Sequence, residues 1–317
     1  MDKLITQQLN TIVKSTNSLK YSMLNQNQLK FLRFTPNKDY YAIKYLQFIT
    51  PDDDIFDLLI TSENINNIIS FDQKTTTLLI HACEHGRIDL IEKLLKMGAD
   101  PELKNNGVTV LGTACVFGHI DIIQLLLAYS VDPNNLSNGV LPIVLFIQNN
   151  KDIFNGFMLL FNNGANINHP VNTINNTIIF SLLQNTDPST HVLIEFLFDN
   201  GLDININNYP YIGKFIYENR PPISSLDMLL NNISLNSKDP INILDEQYLF
   251  NKILLLLDNC INPNNHYLEQ SPLELALSFK YYNLAKLLLL GGADHNVSTS
   301  SFPSFYDNDL NFLLGLN

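Results

Sequence analysis

Three side chains near the first repeated segment of the chain have the types and spacing of a metal site. His81, Glu84 and His85 follow the pattern His-x-x-Glu-His, which puts two imidazoles one turn apart on one face of a helix. Two such histidines can share a zinc ion, and a glutamate beside them can act as a general base. The cluster predicts, as one alternative, a zinc-dependent hydrolase.

Other features of the sequence weigh against that chemistry. A second stretch, 32 residues further on, copies the same segment but has Thr113, Val116 and Phe117 at the positions of these three residues. No further ligand at a defined spacing completes the cluster, and the chain has no P-loop, dinucleotide-binding glycine motif or Cys-x-x-Cys pair. We therefore expect no enzyme activity, no metal and no cofactor.

The element that positions these residues is a repeat. The stretches 77–101 and 109–133 share Thr, Ala-Cys, Gly, Ile-Asp, a Leu run and Asp-Pro at matching offsets, and a third copy begins at Ser271 and ends at Asp294. Apolar residues three and four positions apart predict two short amphipathic helices in each copy. A period of this length is typical of stacked repeat proteins.

The unit resembles the ankyrin repeat, which has a period of about 33 residues, a Thr-Pro-Leu-His-x-Ala opening and two antiparallel helices. The resemblance is strong over 72–135 and 265–296 and weaker elsewhere. It implies an all-α fold, an ankyrin-type α-solenoid of stacked helix-turn-helix repeats with short hairpin loops. Cys83 and Cys115 occupy positions where small residues let helices approach closely, so we expect them to be structural.

The organisation of the rest of the chain follows from its departures from this pattern. Units between 137 and 265 are degenerate, and one of them has an outer helix at Leu226–Leu230. Two units are longer than the copy at Thr77, which predicts longer loops near Asn149–Lys151 and Asn185–Ser189. The expected domains are an N-terminal helical cap (1–38), a divergent first repeat (39–71), an array of about six units (72–300) and a C-terminal cap (301–317).

Composition favours a soluble intracellular protein. The net charge of −12 disfavours binding to nucleic acid or anionic membranes. No apolar run approaches the roughly 20 residues of a membrane span, and the N-terminus lacks the apolar core of a signal peptide. Three cysteines are too few for a disulfide framework. We therefore expect a cytoplasmic monomer without nucleic-acid or membrane partners.

Asparagine is heavily used, often in pairs between the helical segments. A compositional bias from an AT-rich genome is the preferred explanation of its abundance, although turns also favour asparagine. Ankyrin-like proteins with asparagine-rich, degenerate repeats occur in protists, large DNA viruses and intracellular bacteria. In the latter two they often act on the host, so the resemblance implies, as one alternative, a host-directed effector delivered into or expressed in a host cell.

The function that the resemblance implies is recognition: a non-enzymatic scaffold that binds a partner protein through its concave face. In ankyrin-type arrays this face consists of hairpin tips and the exposed ends of the first helices. Apolar side chains there are typical anchors, whereas packing on a neighbouring repeat or plain solvation is the alternative for each position. The predicted partner-binding residues are Gln73, Lys74, Glu84, His85, Asn105, Asn106, Val116, Phe117, Gln148, Asn149, Tyr267, Ser278 and Phe279.

Overall fold

The computed structural model divides the chain into two compact units, Met1–Asn166 and Ile167–Asn317. The predicted outer helix at Leu226–Leu230, the C-terminal cap at 301–317 and Cys260 lie outside the part of the chain that the structure describes. The described residues are 2–170, 173, 177–203, 210–219, 240–259, 261–279 and 281–294.

The first unit begins with four helices that pack on one another. They are α1 (Asp2–Thr16), α2 (Gln26–Phe34), α3 (Lys38–Tyr45) and α4 (Asp54–Leu59), with single 3₁₀ turns at Tyr21–Met23 and Leu46–Phe48. A capping box starts α2: the Asn25 side chain accepts a hydrogen bond from the Gln28 backbone, and the Gln28 side chain accepts one from the Asn25 backbone. Leu9 of α1 and Leu32 of α2 are fully buried, so apolar faces hold these helices together.

Three helical hairpins complete the first unit. They are α5 (Leu78–Glu84) with α6 (Ile88–Lys96), α7 (Val110–Phe117) with α8 (Ile120–Ala128), and α9 (Pro142–Asn149) with α10 (Phe154–Asn162). The first helices pack side by side, α5 on α7 and α7 on α9, and the second helices form a parallel layer. Thr77 and Thr109 cap their helices by accepting hydrogen bonds from the third residue on, at 3.2 and 3.0 Å.

The second helices bury the apolar stripe that the sequence predicts. Leu90, Ile91 and Leu94 of α6 are fully buried. The chain leaves α6 through Gly98, whose φ of +93° is the left-handed conformation that glycine adopts at a helix end without steric cost. The predicted lengthening of the loop near Asn149 is also present, because residues 150–153 separate α9 from α10 whereas two residues separate α7 from α8.

Short hairpins connect successive repeats of the first unit. The strands β1 (Ile69–Phe71) and β2 (Lys74–Thr76) pair antiparallel. Their turn residues Asp72 and Gln73 have φ of +46° and +66°, the signature of a type I′ turn. Later tips keep the same turn but reduce the strands to single bridges, which are Asn105–Val108, Ser137–Val140 and, in the second unit, Tyr267–Gln270.

Asparagine side chains clamp one repeat to the next. The Asn66 amide accepts a hydrogen bond from the Asp100 backbone at 2.8 Å and donates one to the Gly98 carbonyl at 3.4 Å. Both backbone groups follow the end of α6, where helices leave polar groups unsatisfied. Part of the asparagine bias is therefore structural. Equivalent clamps join Asn134 to Gly164 and Asn166, Asn168 to Gly201 and Asp203, and Asn264 to Gly292 and Asp294.

The second unit repeats the two-layer arrangement. The helices among its described residues are α11 (Ile178–Gln184), α12 (Thr190–Asp199), α13 (Tyr211–Glu218), α14 (Pro240–Asp258), α15 (Pro272–Ser278) and α16 (Tyr282–Leu290). The helix α13 lies between α11 and α15, and α14 lies between α12 and α16. Residues 185–189 form the second longer loop that the sequence predicts. The expected all-α architecture of stacked helical hairpins with short loops is thus confirmed.

Candidate functional site

The C-terminal ends of three first helices lie side by side in the first unit. The helices α5, α7 and α9 are equivalent elements of successive repeats and pack in sequence order, so their last turns form a continuous strip. This strip holds six of the predicted partner-binding residues. We call it the helix-end surface, and it comprises Glu84, His85, Val116, Phe117, Gln148 and Asn149.

The centre of the helix-end surface is apolar. Phe117 remains 52% exposed and Val116 37% exposed. One face of the Phe117 ring stacks on His119, with ring centroids 5.9 Å apart and an interplanar angle of 10°. Packing inside the repeat therefore covers only part of this side chain and fixes its orientation. A preoriented aromatic ring with half of its surface in water is the type of residue that anchors protein interfaces.

One end of the helix-end surface carries a cluster of titratable groups. The Nδ1 atom of His81 lies 3.8 Å from Oε2 of Glu84, and Nδ1 of His85 donates a hydrogen bond to the His81 carbonyl at 2.8 Å. His81 is buried, Glu84 half-buried and His85 exposed. The contact with His81 lowers the pKa of Glu84, and the positive charge of Lys74 lowers it further. Glu84 is therefore an ionised carboxylate beside the His81 imidazole.

The opposite end of the helix-end surface presents amides. Gln148 and Asn149 are both exposed at the end of α9. The Asn149 side chain donates to the Leu145 carbonyl of its own helix at 2.8 Å, which orients the amide. These two residues therefore provide a polar rim beside the apolar centre.

The hairpin tips give a mixed outcome for the predicted residues. Gln73, Lys74 and Asn106 are exposed, as a contact surface requires. Asn105 differs from the expectation, because it is only 6% exposed and its amide donates to the Thr75 carbonyl at 2.6 Å. The Thr75 hydroxyl donates back to the Asn105 side-chain oxygen at 2.9 Å. Asn105 thus joins two neighbouring tips, and its side chain does not face a partner.

The three predicted residues of the second unit are engaged within the chain. Tyr267 is half-buried, with its ring 5.5 Å from that of Tyr217 and 5.4 Å from the Lys214 ammonium. The Ser278 hydroxyl donates to the Leu275 carbonyl at 2.8 Å. Phe279 is half-buried, with its ring centroid 6.2 Å from that of Tyr281. The packing alternative therefore describes Tyr267 and Phe279 better than the anchor role, because α13 of the preceding repeat lies against Tyr267 and Tyr281 of the same repeat lies against Phe279.

Sequence reasoning missed a buried lysine beside a cavity in the second unit. Lys252 of α14 donates a hydrogen bond to the Thr190 hydroxyl at the start of α12 and lines a cavity of ≈ 390 Å³ together with His191 and Asp187. Burial lowers the pKa of Lys252 to about 8. One sign of this site is present in the sequence, a single lysine beside the apolar run that ends α14. Its hydrogen-bond partner lies 62 residues earlier in the chain, so the sequence pattern did not connect the two residues.

The fold is that of a repeat protein built from helical hairpins, and a comparison with protein families identifies which repeat it resembles. Residues 41–137 match the family model of ankyrin repeats, in three copies. The resemblance read from the sequence is thus confirmed by the match over this segment. Ankyrin repeat domains generally mediate protein–protein interactions and are typically non-enzymatic.

Two solved ankyrin repeat domains are similar to the chain. The domain of Bcl-3, described as a unique member of the IκB protein family, is 17% identical, with a TM-score of 0.48 over 71% of this chain and 90% of that one. The human ASB11 domain is 16% identical, with a TM-score of 0.43 over 75% of this chain and 98% of that one. Likeness at this level carries no argument about binding.

Two further findings complete the comparison. The sequence has no significant match among curated proteins. Within the described ranges, no helix is both long and apolar enough to cross a membrane.

Proposed function

We propose that the chain is a non-enzymatic scaffold that binds a partner protein through the helix-end surface of its first unit. The observation that carries the proposal is the half-exposed Phe117 ring, which His119 orients on a strip shared by three ankyrin repeats. A solvated position at a helix end is normally polar, whereas Val116 and Phe117 are both apolar. A partner that buries these two side chains would gain the free energy of removing their apolar surface from water.

The chemistry of the strip indicates the kind of partner segment that fits it. An apolar side chain would pack on Phe117 and Val116 at the centre. Hydrogen-bonding groups would meet the amides of Gln148 and Asn149 on one side and the imidazole of His85 on the other. A host-directed role is supported only by the resemblance to asparagine-rich ankyrin-like proteins. In that role the partner would be a host protein.

The hydrolase alternative is disfavoured by the arrangement of its candidate residues. A zinc hydrolase needs a general base in addition to its metal ligands. The Glu84 carboxylate is the third candidate ligand of the cluster, so when all three residues bind the metal none of them is left to act as the base.

The test of the proposed function is capture of a partner from the native cell lysate by three forms of the chain. They are the wild type, Phe117→Glu and Phe154→Glu. Phe154 is a matched control because it is 41% exposed in the same unit but lies at the start of the second helix α10. A buried carboxylate without a partner is costly, so Phe117→Glu is expected to remove binding.

The control variant separates a local effect from loss of folding. Phe154→Glu is expected to capture the partner as the wild type does, and all three forms should have the same helical circular dichroism. Capture of the same protein by Phe117→Glu at undiminished yield would reject the helix-end surface as the binding site.

A further inference from the structure

We propose that His81, Glu84 and His85 form a zinc-binding site on the first unit. The proposal requires no catalysis, and zinc binding is measured without a partner. Each of the three residues offers one ligand atom, and these atoms all lie within 4.8 Å of one another. Imidazole nitrogen and carboxylate oxygen are the donors that zinc accepts together in three-ligand sites that leave a fourth position to water.

The separation of two of the ligand atoms is close to the value that a zinc ion imposes. Zinc–nitrogen bonds of about 2.0–2.1 Å in a tetrahedron place neighbouring ligand atoms roughly 3.3 Å apart. The distance from His81 Nδ1 to Glu84 Oε2 is 3.8 Å. His85 is exposed, so its ring is free to adjust by a small rotation.

The hydrogen bond of His85 to the His81 carbonyl leaves its other ring nitrogen available as a metal ligand. A carbonyl oxygen can only accept, so Nδ1 of His85 carries the proton in its 2.8 Å contact with the His81 carbonyl. The lone pair of the ring is therefore on Nε2. Metal-ligating histidines almost always donate their other ring N–H to a carbonyl or carboxylate in this way.

Burial and charge prepare the other two ligands. His81 is buried, and its ring meets the edge of Phe71 at a centroid distance of 5.9 Å, which restricts its orientation. Glu84 is an ionised, half-buried carboxylate. Lys74 is the nearby opposing charge, but it is exposed on the β-hairpin and can turn towards solvent. The cluster thus offers a dication one carboxylate and two imidazoles.

The repeat fold does not require these residues. The next copy has Thr113, Val116 and Phe117 at the same three positions and forms the same helix. The cluster is therefore a property of this copy alone and not of the capping or packing of the repeat.

The test is a zinc titration of the full chain, purified without a histidine tag and stripped with a chelator. A chromophoric competitor for zinc reports the affinity. The wild type is expected to bind one equivalent in the cluster. Removing a ligand should weaken binding at least tenfold, so we compare His85→Ala and Glu84→Gln. The first changes an exposed side chain and gives up its hydrogen bond to the His81 carbonyl, so helical circular dichroism must be unchanged.

His191→Ala is the matched control. His191 is an exposed histidine that lies 3.5 Å from Glu195 one turn away, so it has two of the donors but no third. This variant should bind zinc as the wild type does, and X-ray absorption of the wild-type complex should show two imidazoles. Failure of the wild type to bind zinc would overturn the proposal, as would unchanged affinity in His85→Ala or an equal loss in His191→Ala.

Discussion

The third hairpin tip contacts the first helix of the preceding repeat. This contact predicts, for a mutant cycle, that the effect of one substitution on the free energy of unfolding changes sign when the contacting side chain is removed. Gly112 lies in the buried first turn of α7. A methyl group at this position would lie 2.3 Å from Cβ and 2.4 Å from Oγ of Ser137, which is buried in the next tip. The two repeats approach so closely here that the side-chain positions exclude each other.

The magnitude follows from two opposing effects of Gly112→Ala. Overpacking costs about 1–3 kcal/mol, and alanine is about 1 kcal/mol better than glycine in a helix, so the free energy of unfolding should fall by up to about 2 kcal/mol. In a Ser137→Gly background both clashing atoms are gone. Only the Thr109 hydroxyl remains near, at 3.0 Å, and a small shift relieves it. The same substitution should then raise the free energy of unfolding by about 0.5–1 kcal/mol.

Urea unfolding of the four proteins, followed by helical circular dichroism, measures this cycle. Ser137→Gly alone is expected to be destabilising, because the buried Thr109 N–H loses the acceptor that it reaches at 3.2 Å. The informative quantity is the coupling energy, which removes this cost from the comparison. Destabilisation by Gly112→Ala of equal size in both backgrounds would refute the stacking of these two repeats.

Three further outcomes test other parts of the structure. Asn134→Asp should lower the free energy of unfolding by about 1 kcal/mol in urea melts, because it removes the donor to the Gly164 carbonyl and keeps the acceptor. Cys83 and Cys115 are buried and their thiol pKa values are raised, chiefly by desolvation, so two of the three thiols should resist a thiol reagent at mildly alkaline pH until urea is added. Burial lowers the pKa of Lys252 from 10.5 to about 8, so folding favours the neutral amine. The contribution of Lys252 to the free energy of unfolding is therefore lowest below pH 8 and rises as the pH approaches 10.5. Lys252→Met should lack that rise, which is about 3 kcal/mol at most, in urea melts across this pH range.

The local part of the fold could be predicted from the sequence because it depends on neighbours in the chain. The spacing of Leu90, Ile91 and Leu94 predicts the buried face of α6, and Gly98 predicts its left-handed end. The exposure of Val116 and Phe117 follows from their place at the end of a first helix. Such features need only the repeat period and the geometry of one helix.

The remaining features depend on contacts about one repeat or more apart. Asn105 and Asn106 have the same residue type and adjacent positions, yet one side chain is buried against Thr75 and the other is exposed. The partial burial of Tyr267 depends on how the preceding repeat stacks, which places Lys214 over its ring. The sequence pattern does not encode the distance between two stacked repeats, so it left both alternatives open at such positions.

The measurement that tests the central claim most directly is the dissociation constant of the captured partner for Phe117→Ala. The exposed 52% of a side chain of about 200 Å² leaves about 100 Å² for the partner to bury. At about 25 cal/mol per Å² this area contributes about 2.5 kcal/mol, or about 70-fold in affinity. We expect a weakening of that order for Phe117→Ala and no change for Phe154→Ala. Equal affinities of the wild type and Phe117→Ala would contradict the account.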